Sequence, residues 1–190
     1  MKIQNMKIKY EKEVVKAMQK EFDYKNVWEV PTIKKVTINA GIGKINKEKE
    51  KIEELVGYLK DITGQAPVKT KARKAISGFK VREGADVGLK VTLRGKKMWD
   101  FLDRLVHIAL PRTRDFQGIK LSALGARGNL NLGIKEIVIF PEINPENVRN
   151  NFGLQISVSN SANNPIEGEK LFRLLGFPLA ENKKKNKSNN

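Results

Sequence analysis

Two short runs constrain this chain more than any others. In IKKVTIN (33–39) and GLKVTLRG (88–95) apolar and polar residues alternate with a period of two, the signature of a strand with one face buried and one face wet. The first run places Lys34, Val36 and Ile38 on one side and Lys35, Thr37 and Asn39 on the other. The second sets Leu89, Val91 and Leu93 against Lys90, Thr92 and Arg94. Both polar sides read lysine, threonine and a further polar group, so the sequence predicts two strands that share a polar, basic face.

Elsewhere the apolar period lengthens to that of a helix. Tyr10, Val14, Val15, Met18 and Phe22 form one stripe over 10–22, and Ile52, Leu55, Val56, Leu59 and Ile62 form a second that ends near Gly64. KKMWDFLDRLVHIAL (96–110) carries Trp99, Phe101, Leu102, Leu105, Val106 and Ile108 and stops at Pro111, and a short helix is expected over Pro165 to Leu175. Further strands are expected at 67–70, 134–140 and 154–158, with a hairpin over 78–95 turning at Glu83 to Asp86. SALGARGNLNLG (122–133), rich in Gly and Asn, reads as a mobile loop unless a partner orders it. No internal repeat and no linker divides the chain. The expected architecture is α+β over residues 1–180: a two-layer sandwich, mostly antiparallel, with helices on one face and an open basic face. ENKKKNKSNN (181–190) has no hydrophobic residue and is expected to be a disordered basic tail.

Charge then decides between classes of partner. The chain holds 37 Lys and Arg against 21 Asp and Glu, a formal charge of +16. That excess is more than solubility requires and points to a polyanion. It is concentrated in VKTKARKAISGFKVR (68–82), within a run from Ile62 to Arg82 that has six Lys or Arg and no Asp or Glu. Lys71, Arg73, Lys74 and Arg82 are interleaved there with Thr70, Ser77, Gly78 and Phe79, which offer hydroxyls, close backbone approach and a ring for stacking. Neither alternating strand offers a large apolar residue on the polar side, which disfavours an apolar protein partner. Folded RNA fits such a surface best, since a rigid polar sheet suits backbone shape and 2′-hydroxyls in a shallow groove.

Other chemistry is poorly supported. With no Cys, thiolate metal sites and disulfides are excluded, and no apolar run is long enough to span a bilayer. MKIQNMKIKYEKEVV lacks a signal-peptide core and carries acids, so no export is expected. AGIGK (40–44), between a strand and a helix, resembles a phosphate loop and leaves a nucleotide-binding enzyme as the alternative reading. It lacks a glycine at Asn46 and at Ile38 and a hydroxyl at Ile45, so a tight turn is the plainer reading. His107, four residues after Asp103, reads as an exposed helical pair, and Glu53 with Glu54, like Glu167 with Glu169, as solvated helix faces. No catalytic residue, metal or cofactor is expected.

LKDITGQAPVKTKARKAISGFKVREG, then GLKVTLRGKKMWDFLDRLVHIALPRTRDFQG, then GIKEIVIFPEI together resemble the bacterial-type ribosomal protein L5 family of the large subunit, from about Tyr10 to Phe177. The resemblance implies an α+β fold that binds 5S rRNA in the central protuberance, touching 23S rRNA, P-site tRNA and a protein of the small-subunit head. It implies work in the cytoplasm within the large subunit, and an organellar ribosome fits as well. By matched position it assigns 5S rRNA contacts to Asn39, Gln65, Phe79, Arg82 and Thr92, beside the Thr37, Lys71, Arg73 and Arg94 read from the pattern. The loop KARKAISG is similar to the segment that reaches toward P-site tRNA, with Lys74 and Ser77 as its contacts. Strict alternation would put Phe79 and Arg82 on opposite faces, so a bulge or a loop through Phe79 is expected. Ala126 stands where the family has a polar residue before Arg127-Gly128-Asn129, and Leu130 where an aromatic is common, so contacts from that loop are expected to differ.

Overall fold

A computed structural model describes residues 5–43, 45, 48–79, 81–114 and 116–180, with the backbone alone at Phe79. Among these residues β1 (Ile33–Gly41), β2 (Val68–Lys71), β3 (Asp86–Leu93), β4 (Leu130–Ile134) and β5 (Leu154–Asn160) form one sheet in the order β2-β3-β1-β5-β4, antiparallel throughout. The two alternating runs are neighbours at its centre. Their register sets Val36 opposite Leu93, Thr37 opposite Thr92, Ile38 opposite Val91 and Asn39 opposite Lys90. Because facing residues in an antiparallel pair share a face, the apolar halves of both strands bury together.

Four helices cover that apolar side. In α1 (6–22) the turns Met6–Lys9 and Val15–Phe22 are joined by a wider π turn, Tyr10–Val14. Next come α2 (Lys49–Thr63), α3 (95–109), whose last turn Leu105–Ala109 is again π, and α4 (Pro165–Leu175). Gly64, in the left-handed region at φ 62°, ends α2 and donates its N–H to the Lys60 carbonyl, the stop that glycine permits. Val36, Ile38, Leu89, Val91, Leu93, Ile156 and Val158 from the sheet meet Met18, Leu55, Leu59, Phe101, Leu102 and Phe172 from the helices in one core. Each such side chain contributes about 1.5–3 kcal/mol by leaving water, so the helical layer holds the sheet's inner face shut.

Several expectations are corrected. The pairing of β1 with β5 shifts register between Ile33 and Lys35, so Ile33 and Val36 are both buried and Lys34 is exposed rather than sharing a side with Val36 and Ile38. The expected hairpin over 78–95 does not form. On the side away from β1, β3 pairs with β2 instead, and residues 72–85 leave the sheet as a long excursion. Its base is closed by Ala72 N–H to Ala85 O (2.8 Å) and Gly84 N–H to Ala72 O (3.0 Å), and its tip by the reciprocal bonds of Ile76 and Val81.

The expected strand at 134–140 lies earlier, at 130–134. Beyond it Ile137, Phe140 and Ile143 are buried three residues apart, a 3-10 period, with Phe140 N–H bonded to Ile137 O and Ile143 N–H to Phe140 O. Arg104 of α3 ties this segment down, pairing with Glu142 (2.5 Å) and donating to Ile62 O (2.9 Å).

Nor is 122–133 a structureless loop. Leu124 bridges to Leu130, Gly125 N–H bonds Asn129 O (2.8 Å), and buried Asn160 donates to Gly128 O (2.8 Å). Gly128 sits at φ 69° against Gly168 of α4, where a Cβ on Gly168 would come within 2.5 Å of the Gly128 Cα. Glycine on both sides lets the two backbones touch. Substituting Gly168→Ala should therefore lower stability by about 3 kcal/mol, although alanine is the better helix former by about 1 kcal/mol. A urea midpoint at or above the wild-type value would show that the contact is not tight.

Candidate nucleic-acid interface

With the inner face sealed, the outer face of the sheet is left to solvent. One row across it comprises Thr92, Thr37, Ser157 and Asn131, and the next comprises Val68, Lys90, Asn39, Gln155 and Gly133. All of these except Gly133 are side chains that are exposed or half-buried. At the sheet's usual strand spacing the first row spans roughly 15 Å. Thr37, Asn39 and Thr92, the sheet residues expected in the site, are thus side by side. The two alternating strands carry no large apolar residue on this side, as expected, but the edge strand β2 adds Val68, 67% exposed, beside Lys90.

Gly88, which the sequence reading passed over, shapes the floor of this face. It lies between Thr70 on β2 and Gly41 on β1, and a Cβ there would stand 2.8 Å from Thr70 Oγ1, 3.3 Å from the Ala40 carbonyl and 3.4 Å from Asn39 Oδ1. The missing side chain is what allows the threonine hydroxyl and the asparagine amide to converge.

The cationic residues cluster at the β2–β3 end. Lys71 closes β2 opposite Asp86, while Lys69 pairs with Asp86 at 3.6 Å. Arg73, Lys74, Ser77 and Arg82 are all exposed on the 72–85 excursion. The backbone leaves strand geometry in a 3-10 turn at Ser77–Phe79, the irregularity expected between Phe79 and Arg82; the Phe79 side chain lies outside the described residues. Arg73 and Lys74 rim a groove of about 860 Å³ floored by Gly41, Ala72, Ile76, Val81 and Val87. Arg94 is exposed where β3 hands over to α3, and Gln65 is exposed just past the end of α2, its N–H held by Thr63 Oγ1 (3.2 Å). These two and the tip residues stand around the sheet face, not on it. The Lys-rich 181–190 segment lies outside the described residues.

The competing signals resolve as structure. Gly41 and Gly43 of AGIGK have no left-handed φ, and α2 starts only at Lys49, with Glu48 and Glu50 at its head, where a phosphate would be repelled. Lys44 and Asn46 lie outside the described residues. Asp103 is not an exposed partner for His107: its side chain is 14% exposed, accepts the Met6 N–H (3.1 Å) at the head of α1 and meets His107 Nδ1 at 3.3 Å.

Glu54 does not face solvent alone. It accepts from Tyr58 Oη (2.6 Å) and Asn150 Nδ2 (2.9 Å) and so fastens 149–150 to α2. Burial pushes its carboxyl up, and the hydrogen bonds from Tyr58, Asn150 and the backbone of Arg149 and Asn150 outweigh that, leaving it below its ordinary value. Burial and the bond to Glu54 push Tyr58 up to about 12. Asn164 caps α4 by accepting the Glu167 N–H (2.8 Å), the Glu167 carboxylate accepts in return from Asn164 Nδ2 (2.9 Å) and the Asn163 N–H (3.1 Å), and Glu169 pairs with Arg173 at 2.8 Å. Among the described residues no cluster of carboxylates and histidine could hold a metal ion, and no helix is long and apolar enough to cross a membrane.

Known proteins of the same kind cover nearly the whole chain. Residues 26–82 match the family described as ribosomal protein L5, and residues 86–179 match the model of that family's C-terminus. The large ribosomal subunit protein uL5 of Thermotoga maritima is 45% identical over 92% of this chain and 95% of its own. That of Synechocystis sp. is 46% identical over 93% and 98%. The large ribosomal subunit protein uL5c of Rhodomonas salina is 45% identical over 94% and 99%.

Converting Gly88→Ala should displace the Thr70 hydroxyl and lower stability by about 1 kcal/mol. Urea unfolding checks this, and a midpoint at or above the wild-type value would show that Thr70 moves aside without cost.

Proposed function

The chain belongs to the ribosomal protein L5 family and is a structural constituent of the large ribosomal subunit, not an enzyme; from that premise we propose that its open sheet face and the 72–85 excursion grip 5S rRNA. The observation that carries this reading is the sidedness of the sheet. One face is packed shut by helices, while the other keeps Thr37, Asn39, Thr92 and Lys90 bare beside the exposed cations of the tip.

In this reading Lys71, Arg73 and Arg94 meet phosphates, which position the protein. Asn39, Thr37 and Thr92 meet ribose and base edges, Arg82 makes a forked contact, Phe79 stacks and Gln65 contributes an amide. The protein then helps fasten 5S rRNA to 23S rRNA in the central protuberance. Lys74 and Ser77 reach from the tip toward P-site tRNA, and a protein of the small-subunit head meets the chain across the subunit boundary. Residues 1–180 act as one ribosomal protein domain, and the lysines of 181–190 add nonspecific attraction alone.

With about six phosphates neutralised, log affinity should fall against log salt with a slope of roughly 4 to 5. Arg82→Ala should cost on the order of 1–3 kcal/mol in 5S rRNA binding, whereas Lys184→Ala should change little. Equal losses from the two variants in a binding titration would contradict a defined site and favour diffuse charge attraction.

A further inference from the structure

The outer face divides by charge. Lys90 on β3 and, past the register shift, Lys71 on β2 are its cations, whereas β4 (LNLGI) and β5 (LQISVSN) contain no charged residue at all. Yet the polar rows do not stop at β1. Thr37 is opposite Ser157 and Asn39 is opposite Gln155, and Ser157 is in turn opposite Asn131. Ser157 Oγ donates to Asn131 Oδ1 at 2.7 Å, which fixes the asparagine amide and leaves both of its N–H groups free of that bond to donate outward. Gln155 and Asn131 are exposed, Ser157 is half-buried, and Gly133 beside Gln155 adds no bulk. The result is a flat, uncharged strip of hydrogen-bonding groups continuous with the cationic half.

Resting on the 5S rRNA reading above, we propose that Asn131, Ser157 and Gln155 form a second half of the RNA site, one that reads 2′-hydroxyls and base edges in the shallow groove of an RNA duplex. The chemistry follows from what the strip lacks. Without cations it gains nothing from counterion release, so its contribution is short-ranged and independent of salt. Small neutral donors and acceptors in a flat row match a wide minor groove, whose hydroxyls both donate and accept. The cationic half sets the position of the RNA, and the neutral half distinguishes RNA of the right shape from other polyanions.

The test compares the double variant Asn131→Ala with Ser157→Ala, and separately Gln155→Ala, with Lys90→Ala in titrations against 5S rRNA over a range of salt. Removing both Asn131 and Ser157 side-chain partners leaves no orphaned group, and Ser157→Thr, which keeps the hydroxyl, serves as the conservative control. The neutral-strip double variant should lose about tenfold or more in affinity at unchanged salt slope, Ser157→Thr should retain binding, and Lys90→Ala should lower the slope. A set of 5S rRNAs, each with one run of 2′-deoxyriboses, gives a readout independent of folding. At least one member should weaken binding to the wild type and leave binding to the double variant unaffected. Wild-type affinity in the double variant, with Arg82→Ala still weakened, would overturn this inference and leave the 5S rRNA reading standing. Losses in the double variant accompanied by a lower salt slope would overturn it as well, because the strip would then act through phosphate. Full affinity in the double variant and in Arg82→Ala alike would overturn both readings.

Discussion

The pairing of β1 with β3 is the constraint on which the rest of the structure depends. Val36 and Ile38 face Leu93 and Val91 on the core side, and the same register puts Thr37 against Thr92 and Asn39 against Lys90 on the other. A slip by one residue would turn each strand over, sending threonine and lysine into the core and the aliphatic groups into water. The cost of that inversion fixes the register. It therefore fixes the arrangement of the outer face, whose polar side chains contribute little to folding themselves. β5 inherits the same logic through Ile156 and Val158, and the polar strip on β5 and β4 follows from it.

In the proposed function a rigid platform and a protruding arm divide the work. The sheet face is backed by a continuous core, so its side chains have few alternative positions, which suits shape recognition. Residues 72–85 leave the sheet and are held by backbone bonds at their base and tip, with Ile76 half exposed and little buried beneath them. Such a segment extends past the sheet face, as the contacts proposed for Lys74 and Ser77 require.

Local periodicity made much of this legible in the sequence. The stripes of Ile52, Leu55, Leu59 and Ile62, and of Pro165 to Leu175, specify their helices because a long apolar period has one geometric solution. Thr37, Asn39 and Thr92 could be placed together because both strands carried the same clean alternation. What was hidden depends on distant residues. IVIF read as a strand by its apolar density, yet it forms a 3-10 turn that buries Ile137, Ile139 and Phe140 together, with Phe140 stacked on Phe101 of α3. The glycines of 122–133 suggested mobility, but Asn160 and Gly168, far along the chain, hold them. Asn131, Ser157 and Gln155 escaped notice because membership of the face is decided by strand order and register, and LQISVSN does not disclose its neighbours.

The central claim is that one layer of this protein meets RNA and the other does not, and lysine acetylation with and without 5S rRNA tests it most directly. Lys35, Lys71 and Lys90 belong to the outer side of the sheet, while Lys16, Lys20 and Lys60 lie on the helical layer, Lys35 half-buried and the others exposed. Bound RNA should shield the first group and leave the second as reactive as in the free protein. Equal shielding of both layers would contradict a defined face and reduce the interaction to the attraction of +16 charges for any polyanion.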